Sequence, residues 1–172
     1  MQLSLKECNI RSWRAEDAAV LPRYANNRNV SRNLRDLFPY PYTEKHAREF
    51  IVSALEQTPE TKFAIEVSGE AVGGIGVRMR EDIERYVAKL GYWLGEPFWG
   101  RGIASEAVVA ITQYGIQEFD LQRIEAGVFE WNPASARVLE KAGYELEATL
   151  RRSAVKDGKV IDRWLYAFVP EV

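Results

Sequence analysis

Between Lys62 and Val67 the apolar residues Phe63, Ile65 and Val67 alternate with polar neighbours, and Ser68-Gly69-Glu70 turns the chain into a return run, Ala71 to Met79. A period of two is that of a strand, so these runs begin a meander, with Tyr86 to Leu94 as its third strand. From Ile103 to Phe119 the period lengthens, and Ile103, Ala107, Ile111, Tyr114 and Phe119 form one stripe of an amphipathic helix. Arg123 to Glu130 reads as a strand and Pro133 to Ala142 as a helix. That helix has Asn132 at its N-cap, Pro133 in its first turn and Gly143 just past its end. Tyr144 to Arg152 and Val160 to Val169 are strands joined around Asp157-Gly158, a hairpin signal. Upstream, Leu3 to Trp13 has strand character, and Glu16 to Tyr24 and Val30 to Leu37 read as short helices. Pro39 and Pro41 keep the next stretch extended. Thr43 then caps a helix reaching about Leu55, with Glu44 and His46 in its first turns. The order predicts an α+β (mixed α/β) fold: about seven strands in a mostly antiparallel central sheet flanked by helices. No repeat or linker interrupts it, so one domain over 1–172 is expected.

Composition narrows the functions. Lys and Arg number 23 against 25 Asp and Glu, a net charge of −2, so no basic excess supplies the non-specific phosphate attraction of a nucleic-acid binder, which leaves at most a local basic patch. One cysteine, Cys8, excludes an intrachain disulfide and a thiolate metal cluster. One histidine, His46, excludes a His-pair metal site, and a Ser-His-Asp triad would have to use it. The first residues lack a signal-peptide core, and no apolar stretch approaches the ~20 residues of a membrane span. A soluble, cytoplasmic protein without metal is the expectation, as monomer or homodimer.

The most informative stretch runs from Gly91 to Glu106, where a strand ends, a glycine-rich turn follows and the strongest helix begins. Unpaired amides and the macrodipole at a helix start favour an anion such as phosphate, and Arg101 adds charge. A Walker A motif fails, because Arg101-Gly102 stands where Lys-Ser/Thr is required. A dinucleotide fingerprint fails as well, since Gly100 to Ser105 lacks the third small residue in a βαβ start. A plain strand-to-helix turn remains the alternative at this level.

Trp99-Gly100-Arg101-Gly102-Ile103-Ala104 resembles the pyrophosphate loop of the GNAT superfamily of acyl-CoA N-acyltransferases, Gln/Arg-x-x-Gly-x-Gly/Ala, with Trp99 in the first position. That departure, followed by Ser105-Glu106-Ala107, is similar to the RimJ/RimL-type branch, the ribosomal-protein N-acetyltransferase-like group. Asn132-Pro133-Ala134-Ser135 and Lys141-Ala142-Gly143-Tyr144 resemble that branch's Asn-x-x-Ser helix and its Lys-x-Gly-aromatic close. The likeness covers nearly the whole chain and implies a GNAT-like fold whose splayed strand pair forms a groove for CoA.

By this resemblance the loop Gly100, Arg101, Gly102, Ile103, Ala104 and Ser105 would hold the CoA pyrophosphate. Tyr92, Trp93 and Leu94 would pair with pantetheine as an added strand, and an amide near Leu94 would face the thioester oxygen. Asn132 would contact pantetheine besides capping its helix, Ser135 would hydrogen-bond the sulfur, and Arg137 would reach a phosphate; capping and solvated charge are the structural alternatives. Leu139 stands where many relatives place an acidic tyrosine, and Lys89 where the branch often carries a glutamate. Glu84 and Glu130 are the candidate bases, with surface roles as the alternative, and His46 would serve only if its helix covered the acetyl site. Trp13, Tyr24, Phe38, Tyr40 and Tyr42 would line the acceptor side or simply pack. The implied activity is acetyl transfer from acetyl-CoA to a primary amine (protein N-terminus, amino acid, polyamine or other small amine) in a ternary complex. A catalytically silent acyl-CoA-binding module and a nucleotide-phosphate enzyme are the rival readings.

Overall fold

Among the residues it describes, 1–171, the computed structural model has eight strands where the pattern predicts about seven. They are β1 (Gln2–Ser4), β2 (Asn9–Arg11), β3 (Lys62–Val67), β4 (Glu70–Met79), β5 (Val87–Leu94), β6 (Arg123–Phe129), β7 (Glu145–Lys156) and β8 (Lys159–Phe168). The sheet order is β1-β2-β3-β4-β5-β6-β8-β7. The β5–β6 pair is parallel; β1–β2, β2–β3, β3–β4, β6–β8 and β7–β8 are antiparallel. The extra strand arises because the expected run Leu3 to Trp13 folds back on itself, with Leu5 N donating to Cys8 O at 2.9 Å.

The helices are α1 (Asp17–Val20), α2 (Pro22–Ala25), α3 (Arg28–Ser31), α4 (Glu44–Glu56), α5 (Ile103–Phe119) and α6 (Pro133–Lys141). The expected helix Glu16 to Tyr24 is broken at Pro22, which has no N–H to donate. The expected helix Val30 to Leu37 is replaced by the single turn of α3. Leu37 is 83% exposed, so that segment has no buried face to stabilise further turns. The Thr43 cap of α4 is present, with the His46 ring accepting from Thr43 N at 3.1 Å. Asp157 and Gly158 both take positive φ, as a tight hairpin turn requires.

The chain packs as two units, described separately. The first comprises Met1–Gly76 and Tyr92–Ala107. Trp13, Leu21, Tyr42, Ile51, Ala64 and Ala71 form its core, with Phe38, Phe50 and Trp93 packed against it. Trp13 and Tyr42 are therefore packing residues. Buried Arg11 binds Asp17 through two 2.8 Å hydrogen bonds and also pairs with Glu66. Gly73 and Gly76 bring backbones close: a Cβ on Gly73 would lie 2.4 Å from Trp93 O, and one on Gly76 2.3 Å from Thr61 O.

The second unit comprises Val77–Gly91 and the chain from Val108 onward. Its buried residues include Ile111, Leu121, Ile124, Leu139 and Tyr144, the last sharing a 2.7 Å hydrogen bond with Thr112. The β5–β6 ladder covers Val87–Lys89 and Arg123–Glu125, while β6 pairs along Ile124–Phe129 with β8.

Candidate active site

In the first unit, β5 ends at Leu94 and the chain takes a 3-10 turn, Glu96–Phe98, before α5. Glu96 anchors this turn by accepting from the Asn27 side chain at 2.6 Å and the Asn29 side chain at 3.0 Å. Phe98 meets the edge of Tyr24 at 5.4 Å between ring centroids, and the Arg101 guanidinium lies 5.5 Å over Phe98. Tyr24 therefore supports the loop. Trp99 Nε1 donates to Leu94 O at 2.7 Å, so the residue in place of Gln or Arg ties the loop to the strand end.

Gly100 and Gly102 have φ of +74° and +83°, a region that costs an L side chain about 1–2 kcal/mol. A Cβ on either would meet nothing within 4 Å, so backbone conformation, not crowding, is what requires glycine there. Gly102 O accepts from Glu106 N at 3.0 Å, and buried Ile103 fixes the helix start. Helix geometry leaves the amides of the first turn, Ile103, Ala104 and Ser105, without intrahelical acceptors, and the dipole makes that end positive. The Glu106 carboxylate accepts from Lys6 N at 2.8 Å and Glu7 N at 2.9 Å, joining the β1–β2 turn to the first turn of α5. Burial, then the Glu106 charge, pushes the neighbouring Cys8 thiol up to about 12. This arrangement suits binding of a multiply charged anion through backbone donors.

In the second unit, Asn132 caps α6: its Oδ1 accepts from Ser135 N at 3.2 Å. Ala136 and Leu139 are buried and seat the helix, so Leu139 is a core residue. Ser135 is half-buried, and exposed Arg137 lines a hollow of about 270 Å³ with Trp164 and Tyr166. Burial, then the Glu140 hydrogen bond, pushes Tyr166 up to about 12.

The two candidate bases have different surroundings. Glu84 lies in the 3-10 turn before β5 and pairs with Arg80. The strand then runs to Leu94, and eight residues span about 25 Å, so Glu84 precedes the opposite end of β5. Glu130 follows β6, which runs parallel to β5, and its Oε1 accepts from Asp162 N at 3.2 Å. His46 is engaged with Thr43 at the start of α4. Sequence reading alone missed the anchoring roles of Glu96, Glu106 and the Trp99 indole; Glu106, an acid in a helix's first turn, carried the one available signal.

Among the described residues no group of His, Cys, Asp and Glu could hold a metal ion, and no helix is long and apolar enough to cross a membrane.

The acetyltransferase (GNAT) domain family matches residues 8–145. An N-acetyltransferase of Bacillus licheniformis is 30% identical over 173 residues, covering 97% of this chain and 95% of that protein. The structure of RimL, a ribosomal-protein acetyltransferase in complex with coenzyme A, superposes with a TM-score of 0.86 at 21% identity, covering 98% of each chain. Mycobacterium smegmatis RimJ, in complex with a CoA disulfide, gives a TM-score of 0.83 at 25% identity over 94% of this chain and 81% of that one. The mixed sheet with its glycine loop and capped α6 is thus that of an acetyltransferase. The chain belongs to the GNAT family.

Proposed function

We propose that the chain is one GNAT domain over 1–172, of the RimJ/RimL type, that transfers acetyl from acetyl-CoA to a primary amine in a ternary complex. The observation that carries this reading is the left-handed Gly100 and Gly102 pair opening α5. Gly100, Arg101, Gly102, Ile103, Ala104 and Ser105 would hold the pyrophosphate, chiefly through amides. Tyr92, Trp93 and Leu94 would pair with pantetheine, a reading supported by a β5–β6 ladder that covers only three residues of each strand. Asn132 and Ser135 would address the pantetheine arm and the sulfur, with Arg137 at a phosphate. The CoA in the RimL and RimJ complexes supports CoA as the acyl carrier, and RimL's name, an alpha-N-protein acetyltransferase, supports a protein N-terminus among the acceptors.

In the reaction the neutral amine attacks the thioester carbonyl carbon, a C–N bond forms, the C–S bond breaks, and the amine loses one proton. Glu130 is the carboxylate assigned to accept that proton, and the Ser135 hydroxyl the group that meets the departing thiolate. With a thiol pKa of ~8.5, the leaving group needs little assistance. No activated nucleophile is required, because CoA already leaves well.

The test pairs calorimetric titration of CoA, ATP and NAD with a CoA-release assay across a panel of amines. Binding of CoA alone, lost in Gly102→Glu, together with turnover on at least one amine, is expected. Undiminished CoA affinity in Gly102→Glu overturns the loop assignment. Tight CoA binding without turnover on any amine favours the silent module, a reading to which Leu139 and Lys89 lend weight.

A further inference from the structure

The β4–β5 register places two cations opposite each other. Arg80 N donates to Val87 O at 2.9 Å and Gly95 N to Val72 O at 2.8 Å, and both bonds give one register, in which Arg78 faces Lys89. Directly opposed residues have Cβ atoms about 5 Å apart, and like charges there destabilise a sheet. Both side chains are exposed, on the face opposite buried Val77, Ala88 and Leu90.

Neighbouring carboxylates offset them only in part. Lys89 lies beside Glu125 in the β5–β6 ladder, but Glu125 is bound by Arg80 and Arg123. Glu84 is paired with Arg80, and Glu147 with Arg123. Arg163 on β8, which donates to Ser153 Oγ at 2.9 Å, adds a further positive charge within electrostatic reach of Lys89. Partial desolvation of its ammonium, then Arg80 and Arg78, holds Lys89 below the ordinary lysine value against the opposing pull of Glu125.

The same face has a bare floor. Gly91, two residues beyond Lys89, and Gly127, two beyond Glu125, are both exposed, and a Cβ on either would meet nothing within 4 Å. Crowded cations beside side-chain-free backbone describe a place for an anion. Tyr92, at the start of the segment assigned to pantetheine, is three residues from Lys89, about 10 Å along the strand. An extended acceptor of amino-acid to tripeptide size, plus a lysine or arginine side chain, spans that distance.

We propose that Arg78, Lys89 and Arg163 form an anion subsite over Gly91 and Gly127 that selects amine acceptors bearing a carboxylate. The assignment to acceptors rests on the acetyltransferase reading above; the anion subsite itself does not. The carboxylate comes either from a free amino acid or from an acidic residue next to a peptide's N-terminus.

The experiment uses the full chain loaded with CoA, titrated calorimetrically with Ser-Asp-Ala amide and its isostere Ser-Asn-Ala amide, and with serine and serinamide. The acidic member of at least one pair binds about 10-fold tighter, the scale of a charge-assisted contact, and the preference shrinks as salt is raised. The double variant Arg78→Gln/Lys89→Gln abolishes the preference while CoA affinity stays unchanged and the melting temperature holds or rises, as relief of the opposed charges requires. Preference in the peptide pair alone identifies an acidic residue, and in the serine pair alone a free carboxylate. Equal binding within both pairs overturns the subsite, as does a preference that survives in the double variant. Weakened CoA binding in that variant also overturns it, by assigning the cations to the cofactor. CoA release is followed in parallel: a preference lost in the variant, with turnover on no acceptor, upholds the subsite and refutes the acetyltransferase reading.

Discussion

Asn132 is assigned two roles, helix cap and cofactor contact, and two substitutions separate them. Its Oδ1 accepts from Ser135 N at 3.2 Å, a side-chain bond that caps α6. Asn132→Ala removes that acceptor and costs about 1 kcal/mol, the usual value for a lost N-cap. For a chain of 172 residues this lowers the melting temperature by about 2–4 °C. Asn132→Asp keeps an oxygen in the same place, and aspartate caps as well as asparagine. Its charge also sits at the positive end of the helix, which adds up to ~1 kcal/mol. The stability of Asn132→Asp therefore equals or exceeds that of the parent.

Acetyl-CoA responds differently. Aspartate cannot donate the N–H bonds of the amide, and it sets a negative charge beside a polyanionic ligand. Loss of a buried hydrogen bond plus that repulsion predicts an increase of about 10-fold or more in KM for acetyl-CoA. Scanning calorimetry and CoA-release kinetics on the two variants provide both measurements. If Asn132→Asp keeps its KM within about twofold, Asn132 is a cap alone and the proposed pantetheine contact is wrong. If Asn132→Asp loses as much stability as Asn132→Ala, the capping argument fails instead.

Two further outcomes follow from the first unit. Gly73→Ala forces a Cβ to 2.4 Å from Trp93 O, whereas Gly102→Ala meets nothing and bears only backbone strain. Denaturant titration should show about 3 kcal/mol lost in the former, at the upper end of overpacking costs, and about 1–2 kcal/mol in the latter; the reverse order refutes the packing argument. The Arg11 hydrogen bond holds the Glu66 carboxyl below the usual carboxylate range. A depressed folded value stabilises above the unfolded pKa of ~4.3 and is lost as pH falls through the folded one, so the stability gap between parent and Glu66→Gln narrows from pH 7 to pH 3. A gap independent of pH removes Glu66 from the acid response.

What could be read from the chain divides along local and non-local information. The span of α5, the Thr43 and Asn132 caps and the Asp157-Gly158 turn depend on residues within a turn or two, and each stands where the pattern puts it. The break between β1 and β2 depends on Glu106, about a hundred positions away, whose carboxylate binds the turn amides. No window around Leu5 contains that information. Likewise β7 runs on to Lys156 because β8 pairs with it that far, through register shifts that local spacing does not encode. In the candidate site the glycine loop was legible, because positive φ selects for glycine. The surroundings of Glu84 and Glu130 were not, because strand direction and length decide which end of β5 each acid accompanies.

The same distinction explains why the motif's departures leave the proposed cofactor site intact. Binding a diphosphate through amides needs a left-handed bend and a helix start, which Gly100, Gly102 and buried Ile103 supply without any particular side chain at 99. Trp99 instead secures the bend by donating to Leu94 O, a task a polar side chain at that position could also perform. Side chains decide matters on the acceptor side, where charge must be matched to charge. At the proposed anion subsite the chain carries Lys89 opposite Arg78. A fold that tolerates two opposed cations on an exposed face has conceded stability. The natural compensation is an anion that arrives with the substrate. Acceptor choice in this protein is therefore expected to follow charge at Arg78 and Lys89 more closely than the shape of the aromatic N-terminal segment, whose Trp13 and Tyr42 are committed to the core.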